Sequence, residues 1–230
     1  MRKTLSVLKM HWRDKWSWLY IPWIICLASF LVNVIIGVFL PSDGELYSGG
    51  LVALFIYFFV SGILTPAQTF PFALGMGVRR KDYFLGTAAM AVAFSVPSAA
   101  VLALFSWLEQ RTGNWGLNLH FFHLPFVHEG PVLLQWLTML LLLLFVYFGG
   151  LLIAGIYRRC GKVGLLVFFG CLLFMAMAVP AAVNIWGSWA GFGQWLAKHV
   201  HSMNELALPL FVFTLIFLLA SYLLFRRATV

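Results

Sequence analysis

Six stretches of this chain are long and apolar enough to cross a bilayer, and none of them contains Asp, Glu, Lys, Arg or His. They run about Trp18–Leu40, Gly49–Phe70, Phe84–Leu108, Val132–Ile156, Val163–Trp186 and Leu206–Phe225. A spanning helix takes roughly 20 mostly apolar residues, so six of them consume most of the 230 residues. No stretch is left for a separate soluble catalytic domain. Only 10% of the residues are charged, against about 25% in a typical soluble domain, too few to coat a water-facing surface. The sequence therefore specifies an all-α integral membrane protein with a six-span transmembrane domain over residues 18–230.

Residues 1–17, MRKTLSVLKMHWRDKWS, differ in kind. Leu5, Leu8, Trp12 and Trp16 recur at helical spacing, with Arg2, Lys9 and Arg13 along one edge of that stripe. This predicts an N-terminal interfacial amphipathic helix whose cationic heads reach to water. Val7 and Met10 project elsewhere, so the amphipathicity is imperfect. A secretory signal is not expected, because the apolar stretch that follows is too long and no A-x-A site closes it.

The basic residues orient the spans. With the N-terminus inside, the cytoplasmic segments hold Arg2, Lys3, Lys9, Arg13 and Lys15, then Arg79, Arg80 and Lys81, then Arg158, Arg159 and Lys162, then Arg226 and Arg227. Only Arg111 and Lys198 fall outside, which satisfies the positive-inside rule with both termini cytoplasmic. Five of the seven acids, Asp43, Glu45, Glu109, Glu129 and Glu205, fall on the opposite side from Asp14 and Asp82. The net charge of +8 is thus a matter of topology and anionic lipid, with no nucleic acid required. Tryptophans cluster at both expected boundaries: Trp12, Trp16, Trp18 and Trp23 inside, and Trp107, Trp115, Trp136, Trp186, Trp189 and Trp195 outside.

Several chemistries are excluded. Ion-coupled carriers and voltage sensors need ionisable groups at depth, and the spans offer none. The polar span residues, such as Asn33, Ser61, Thr65, Gln68, Ser95, Ser98, Gln135, Thr138 and Asn184, read first as hydrogen bonds between packed helices. Phe58–Gly62 lacks the first glycine of a serine-nucleophile motif, and no histidine lies at depth to serve it. Gly155–Val163 imitates a phosphate loop, but the glycine spacing is wrong and Val163 stands where Ser or Thr should hold Mg²⁺. No cofactor is expected in this chain, and ATP and Mg²⁺, if used, would sit in a partner. Cys26, Cys160 and Cys171 form no CxxC pair. His120, His123 and His128, with Glu129 nearby, are weak candidates for a metal site, unsupported by any thiolate or HExxH pattern. Gly149, Gly150, Ala154 and Gly155 suggest a close helix contact before they suggest a translocation path.

The connection after the second span, Leu74-Gly75-Met76-Gly77-Val78-Arg79-Arg80-Lys81-Asp82-Tyr83-Phe84-Leu85-Gly86-Thr87, joins glycines, a basic triplet and two aromatics. Such an element suits docking onto a cytoplasmic partner. It resembles the first cytoplasmic loop of bacterial ABC-2-type transporter permeases, where a G-x-x-R-[RK]-x-[YF]-[YF]-x-G-T pattern leads into the third helix. The layout of the whole chain is similar too: an amphipathic N-terminal helix, six spans and both termini inside.

The resemblance implies a permease subunit in the bacterial cytoplasmic membrane that does no covalent chemistry. It implies pairing with cytoplasmic ABC ATPase subunits and with a second permease subunit, identical or related. Val78, Arg79, Arg80, Lys81, Asp82, Tyr83 and Phe84 would form the ATPase-coupling loop, and Arg158, Arg159 and Lys162 a secondary contact. Residues 186–205 take the position of the family's re-entrant outer helices, whereas the loop from Glu109 to Gly130 is longer than the family needs. The uncharged spans suggest export of an apolar or amphipathic peptide, lipid or drug. Two other readings stand beside this one: the substrate-binding membrane subunit of a vitamin or metal importer, and a non-transporting immunity or accessory protein.

Overall fold

A chain this apolar has one economical way to satisfy its backbone in lipid, which is to bond every amide within its own helix. The computed structural model describes residues 2–39, 46–122, 131–186, 191 and 203–228, and most of them are helical. Helix α1 spans Arg2–Arg13 and is followed by a π-helical turn, Trp16–Tyr20, which runs into α2, Ile21–Phe39. A two-residue strand β1 (Leu46–Tyr47) precedes α3 (Val52–Gly75) and α4 (Arg80–Arg111). A 3-10 turn at Asn114–Gly116 and a second short strand β2 (Leu119–His120) lead to α5 (Val132–Trp186) and α6 (Met203–Arg226).

Among the described residues five helices are long and apolar enough to cross a membrane: Trp16–Phe39, Val52–Gly75, Arg80–Arg111, Val132–Ala178 and Ala207–Arg226. The expected fourth and fifth spans lie together in the 55-residue α5. At about 1.5 Å per residue that helix is far longer than one bilayer. Gly161 breaks it, with φ 66° and ψ −159°, a combination open in practice only to glycine. The arm before Gly161 is the centre of the bundle and packs on α3, α4 and α6. Over residues 163–177 the arm after it is bare: Val163, Leu166, Phe169, Leu172, Phe174 and Met175 are all exposed, on every side of the helix.

Hydrophobic attraction is weak between helices already in lipid, so close packing has to hold them. The crossing of α3 and α5 is the clearest case. A Cβ on Gly150 would overlap the Phe59 carbonyl oxygen, and one on Gly62 would overlap the Tyr147 carbonyl oxygen. Gly149 faces Phe217, and Gly155 faces Leu224 and Phe225 of α6. The small residues flagged in the sequence are therefore packing contacts.

The two ends of the bundle have different characters. One end gathers α1, the α3–α4 turn, Arg158 and the last turn of α6, where Phe225 meets Phe70 and Phe84. This is the basic end. At the opposite end β1 and β2 pair in parallel, Leu46 with Leu119 and Tyr47 with His120. Residues 186–205, the expected re-entrant segment, lie outside the described residues apart from Trp186, Gly191 and the backbone of 203–205.

Candidate functional site

Helix α1 explains its own imperfect amphipathicity, because it has two apolar faces. Of the stripe expected to face headgroups, Leu5, Trp12 and Trp16 are exposed, while Leu8 is half-buried and packs on the core. Val7 and His11, on another face, are buried against α4. The contacts step along α4 in one direction. Thr4 Oγ1 donates to Asp82 Oδ1 at 3.2 Å, and Val7 seats on Gly86, where a Cβ would lie 2.7 Å from the valine's own. Further on, His11 Nε2 lies 3.1 Å from Thr87 Oγ1, and the Trp12 ring meets Phe94 at 5.6 Å. Gly86 and Thr87 of the family-like motif thus form the seat of α1.

The coupling-loop candidates divide into an exposed part and a buried one. Arg79, Arg80 and Lys81 are exposed, and Val78 and Asp82 are half-buried. Tyr83 and Phe84 are buried: Tyr83 packs on Phe70 and shares a 2.7 Å hydrogen bond with Thr69 Oγ1, and Phe84 packs on Tyr222 and Phe225. The turn is braced from the other side by Lys3, whose Nζ donates to the Gly77 carbonyl at 2.7 Å. Gly77 itself has φ 74°, the left-handed geometry that ends α3.

Of the secondary contact, Arg159 and Lys162 are exposed and Arg158 turns inward. Pro71 has no N–H to give the Ala67 carbonyl four residues back, and Arg158 Nη2 donates to that oxygen at 2.8 Å. The same guanidinium lies 5.8 Å above the Phe70 ring.

Between α1, the π-helical turn and α3 lies a cavity of about 270 Å³. Its floor is a polar stripe on α3, Tyr57, Ser61, Thr65 and Gln68 with Thr69, spaced to recur on one helix face. His11, Asp14, Ser17 and Trp18 close the other side, and Ile21, Val60 and Leu64 supply apolar wall. The π-helical turn displaces Ser17 and Trp18 from regular α-helical positions, a distortion common at functional sites. Tyr57 donates its hydroxyl proton to the Ser17 carbonyl, which ties α3 to the turn. Asp14 Oδ1 accepts from the Ser17 N–H at 3.3 Å. Burial lowers the His11 pKa to about 4, with Asp14 opposing part of the shift, so its imidazole is neutral at physiological pH.

Ser61, Thr65 and Gln68, which the sequence suggests as interhelical hydrogen bonds, line this space. Asn33 and Thr138 bond carbonyls of their own helices, at Ser29 and Leu134. Trp18, assigned to the boundary belt, is buried against Phe94 and Tyr147. His11, Asp14, Ser17 and Tyr57 were missed altogether; the readable signal was the 57/61/65/68 spacing.

At the opposite end Glu109, read as an outer-loop acid, lies in the last turns of α4 and is fully buried. Its Oε2 accepts from the Phe122 N–H at 2.8 Å, the Trp115 Nε1–H at 3.1 Å and the Phe121 N–H at 3.2 Å. Left-handed backbone at Gly113, Asn114, Trp115, Gly116 and Asn118 folds the loop back over the carboxylate. His120 stacks on Tyr47 at 4.7 Å, with Nδ1 4.0 Å from Glu109 Oε1 and Nε2 3.1 Å from Asn114 Nδ2. His123 and His128 lie outside the described residues, among which no group of three His, Cys, Asp or Glu could hold a metal.

No protein-family model matches the chain, and neither does any curated protein or solved structure.

Proposed function

We propose that this chain is the six-span permease subunit of an ATP-driven exporter of the ABC-2 type, energised by separate ATPase subunits on its basic end. One observation carries the reading: the α3–α4 turn presents Arg79, Arg80 and Lys81 to solvent while its two flanks are fixed to the bundle. A docking surface that is to transmit force needs both properties. A partner's acidic groove pairs with the cations, and displacement of the turn passes through buried Tyr83 and Phe84 into α3, α4 and α6. Helix α1 rides with it, because its seat is on the first turns of α4.

In this reading Gly161 joins two separate spans, which brings the count to six and places both termini with the basic end in the cytoplasm. The membrane is the bacterial cytoplasmic membrane, a second permease subunit completes the path, and ATP with Mg²⁺ is held by the ATPase. The cargo is an apolar or amphipathic peptide, lipid or drug, in keeping with spans that carry no charge at mid-depth.

Affinity purification in mild detergent tests it, comparing wild type with Arg79→Glu, Arg80→Glu, Lys81→Glu. These three side chains are exposed, so their reversal leaves the core intact. A soluble ATPase that accompanies wild type and is lost from the membrane-inserted variant is the expected result. An ATPase that stays on the variant moves the docking site elsewhere. Absence of any ATPase from crosslinked wild type overturns the permease reading.

A further inference from the structure

We infer that the cavity at the basic end is a binding site for a small organic cation with an apolar body. The inference goes beyond the permease reading and does not depend on it. Its first ground is a local reversal of charge. The chain carries +8 overall and its cations gather at this end, yet no Lys or Arg among the described residues lines the cavity. The charged group facing it is the Asp14 carboxylate, because buried His11 is neutral.

The walls sort by chemistry. Trp18 and Tyr57 put aromatic rings in the lining, the residue class that attracts an ammonium group. Ile21 and Leu64 accept apolar surface, while Ser61 and Gln68 keep water or a polar substituent in place. An anion meets the field of Asp14 with no cation among the described lining residues to answer it. A wholly apolar guest strips water from Ser61, Thr65 and Gln68 and returns nothing. A compact cation on an apolar body satisfies both halves of the site. The volume, about 270 Å³, equals roughly nine waters at about 30 Å³ each. That admits a benzyl-sized guest.

The test is equilibrium dialysis of full-length protein in nonionic micelles against benzyltrimethylammonium, with benzylphosphonate as a probe of similar body and opposite charge. Wild type is expected to bind the cation saturably and the phosphonate at least tenfold more weakly. Asp14→Asn is expected to raise the cation Kd about tenfold. Asparagine still caps the turn after residue 14, so the loss reports charge and not unfolding. Ser61→Leu fills the floor and is expected to abolish cation binding, with an unchanged unfolding temperature as the check on its fold. Saturable binding that Asp14→Asn leaves unaltered overturns the proposal. So does equal uptake of the phosphonate, and so does a wild type with no saturable site, in which case the space holds water alone.

Discussion

Glu109 and His11 are ionisable residues buried at opposite ends of the bundle, and the two are treated in opposite ways. Glu109 is enclosed by a loop that folds back to supply three N–H donors, so its carboxylate is solvated by protein. His11 has Thr87 on one nitrogen and aromatic rings around it, Trp18 and Tyr83. With little to support a charge, burial keeps it neutral. The first arrangement is a closed structural knot. The second leaves polar groups in reach of open space, which is what a binding site requires. A buried titratable group therefore marks function only when its partners leave something unfinished around it.

The comparison breaks most visibly at Glu109. Replacing it with alanine orphans two buried backbone N–H groups and the Trp115 indole, at about 1–3 kcal/mol each. Glu109→Ala should therefore lower the unfolding temperature in micelles more than any other single change at the rims. Glu109→Gln, which keeps an acceptor oxygen, should recover much of the loss. An alanine variant as stable as wild type would show that the knot is ornamental.

His11 gives the next effect, and it depends on pH. The folded pKa of about 4 lies below the unfolded 6.5, so the unfolded chain binds more protons between those values. Its contribution is present above pH 6.5 and is lost as pH falls towards 4, by about 3 kcal/mol in all. Stability measured across that window should fall for wild type and stay flatter in His11→Gln. Equal slopes would place the acid sensitivity in another group.

The smallest of the three concerns Arg158. Removing its charge-assisted bond to Ala67 in Arg158→Ala should cost about 1–2 kcal/mol, because the group is only partly shielded. Hydrogen exchange should speed up locally in the last turns of α3. If protection there is unchanged, the proline-freed carbonyl has found another donor.

How much of this was legible in the sequence follows from the range of the forces involved. Spans and basic faces depend on sums over about 20 residues, so they survive without any knowledge of packing. Glu109 was placed in an outer loop by charge alone; its burial depends on five left-handed residues downstream, of which the glycines and asparagines are suggestive and Trp115 is not. In α1 and just beyond it the helical spacing of Leu5, Leu8, Trp12 and Trp16 was legible, while Val7 fitted no pattern. It is the second face, and only Gly86 on a distant helix gives it meaning. The cavity had a signal in the 57/61/65/68 spacing. Recognising it required knowing that Gly62 turns the neighbouring side of α3 onto α5.

Pro66 and Pro71 both lie inside α3, so two rungs of its ladder are absent within a turn and a half. One is replaced by a side chain borrowed from α5. The lower part of α3 is in that sense a splinted rod, stiff while Arg158 is in place and pliable once it swings away. Any ligand or partner whose anion draws the guanidinium outward would soften α3 beside the polar stripe that floors the cavity, without touching either helix backbone.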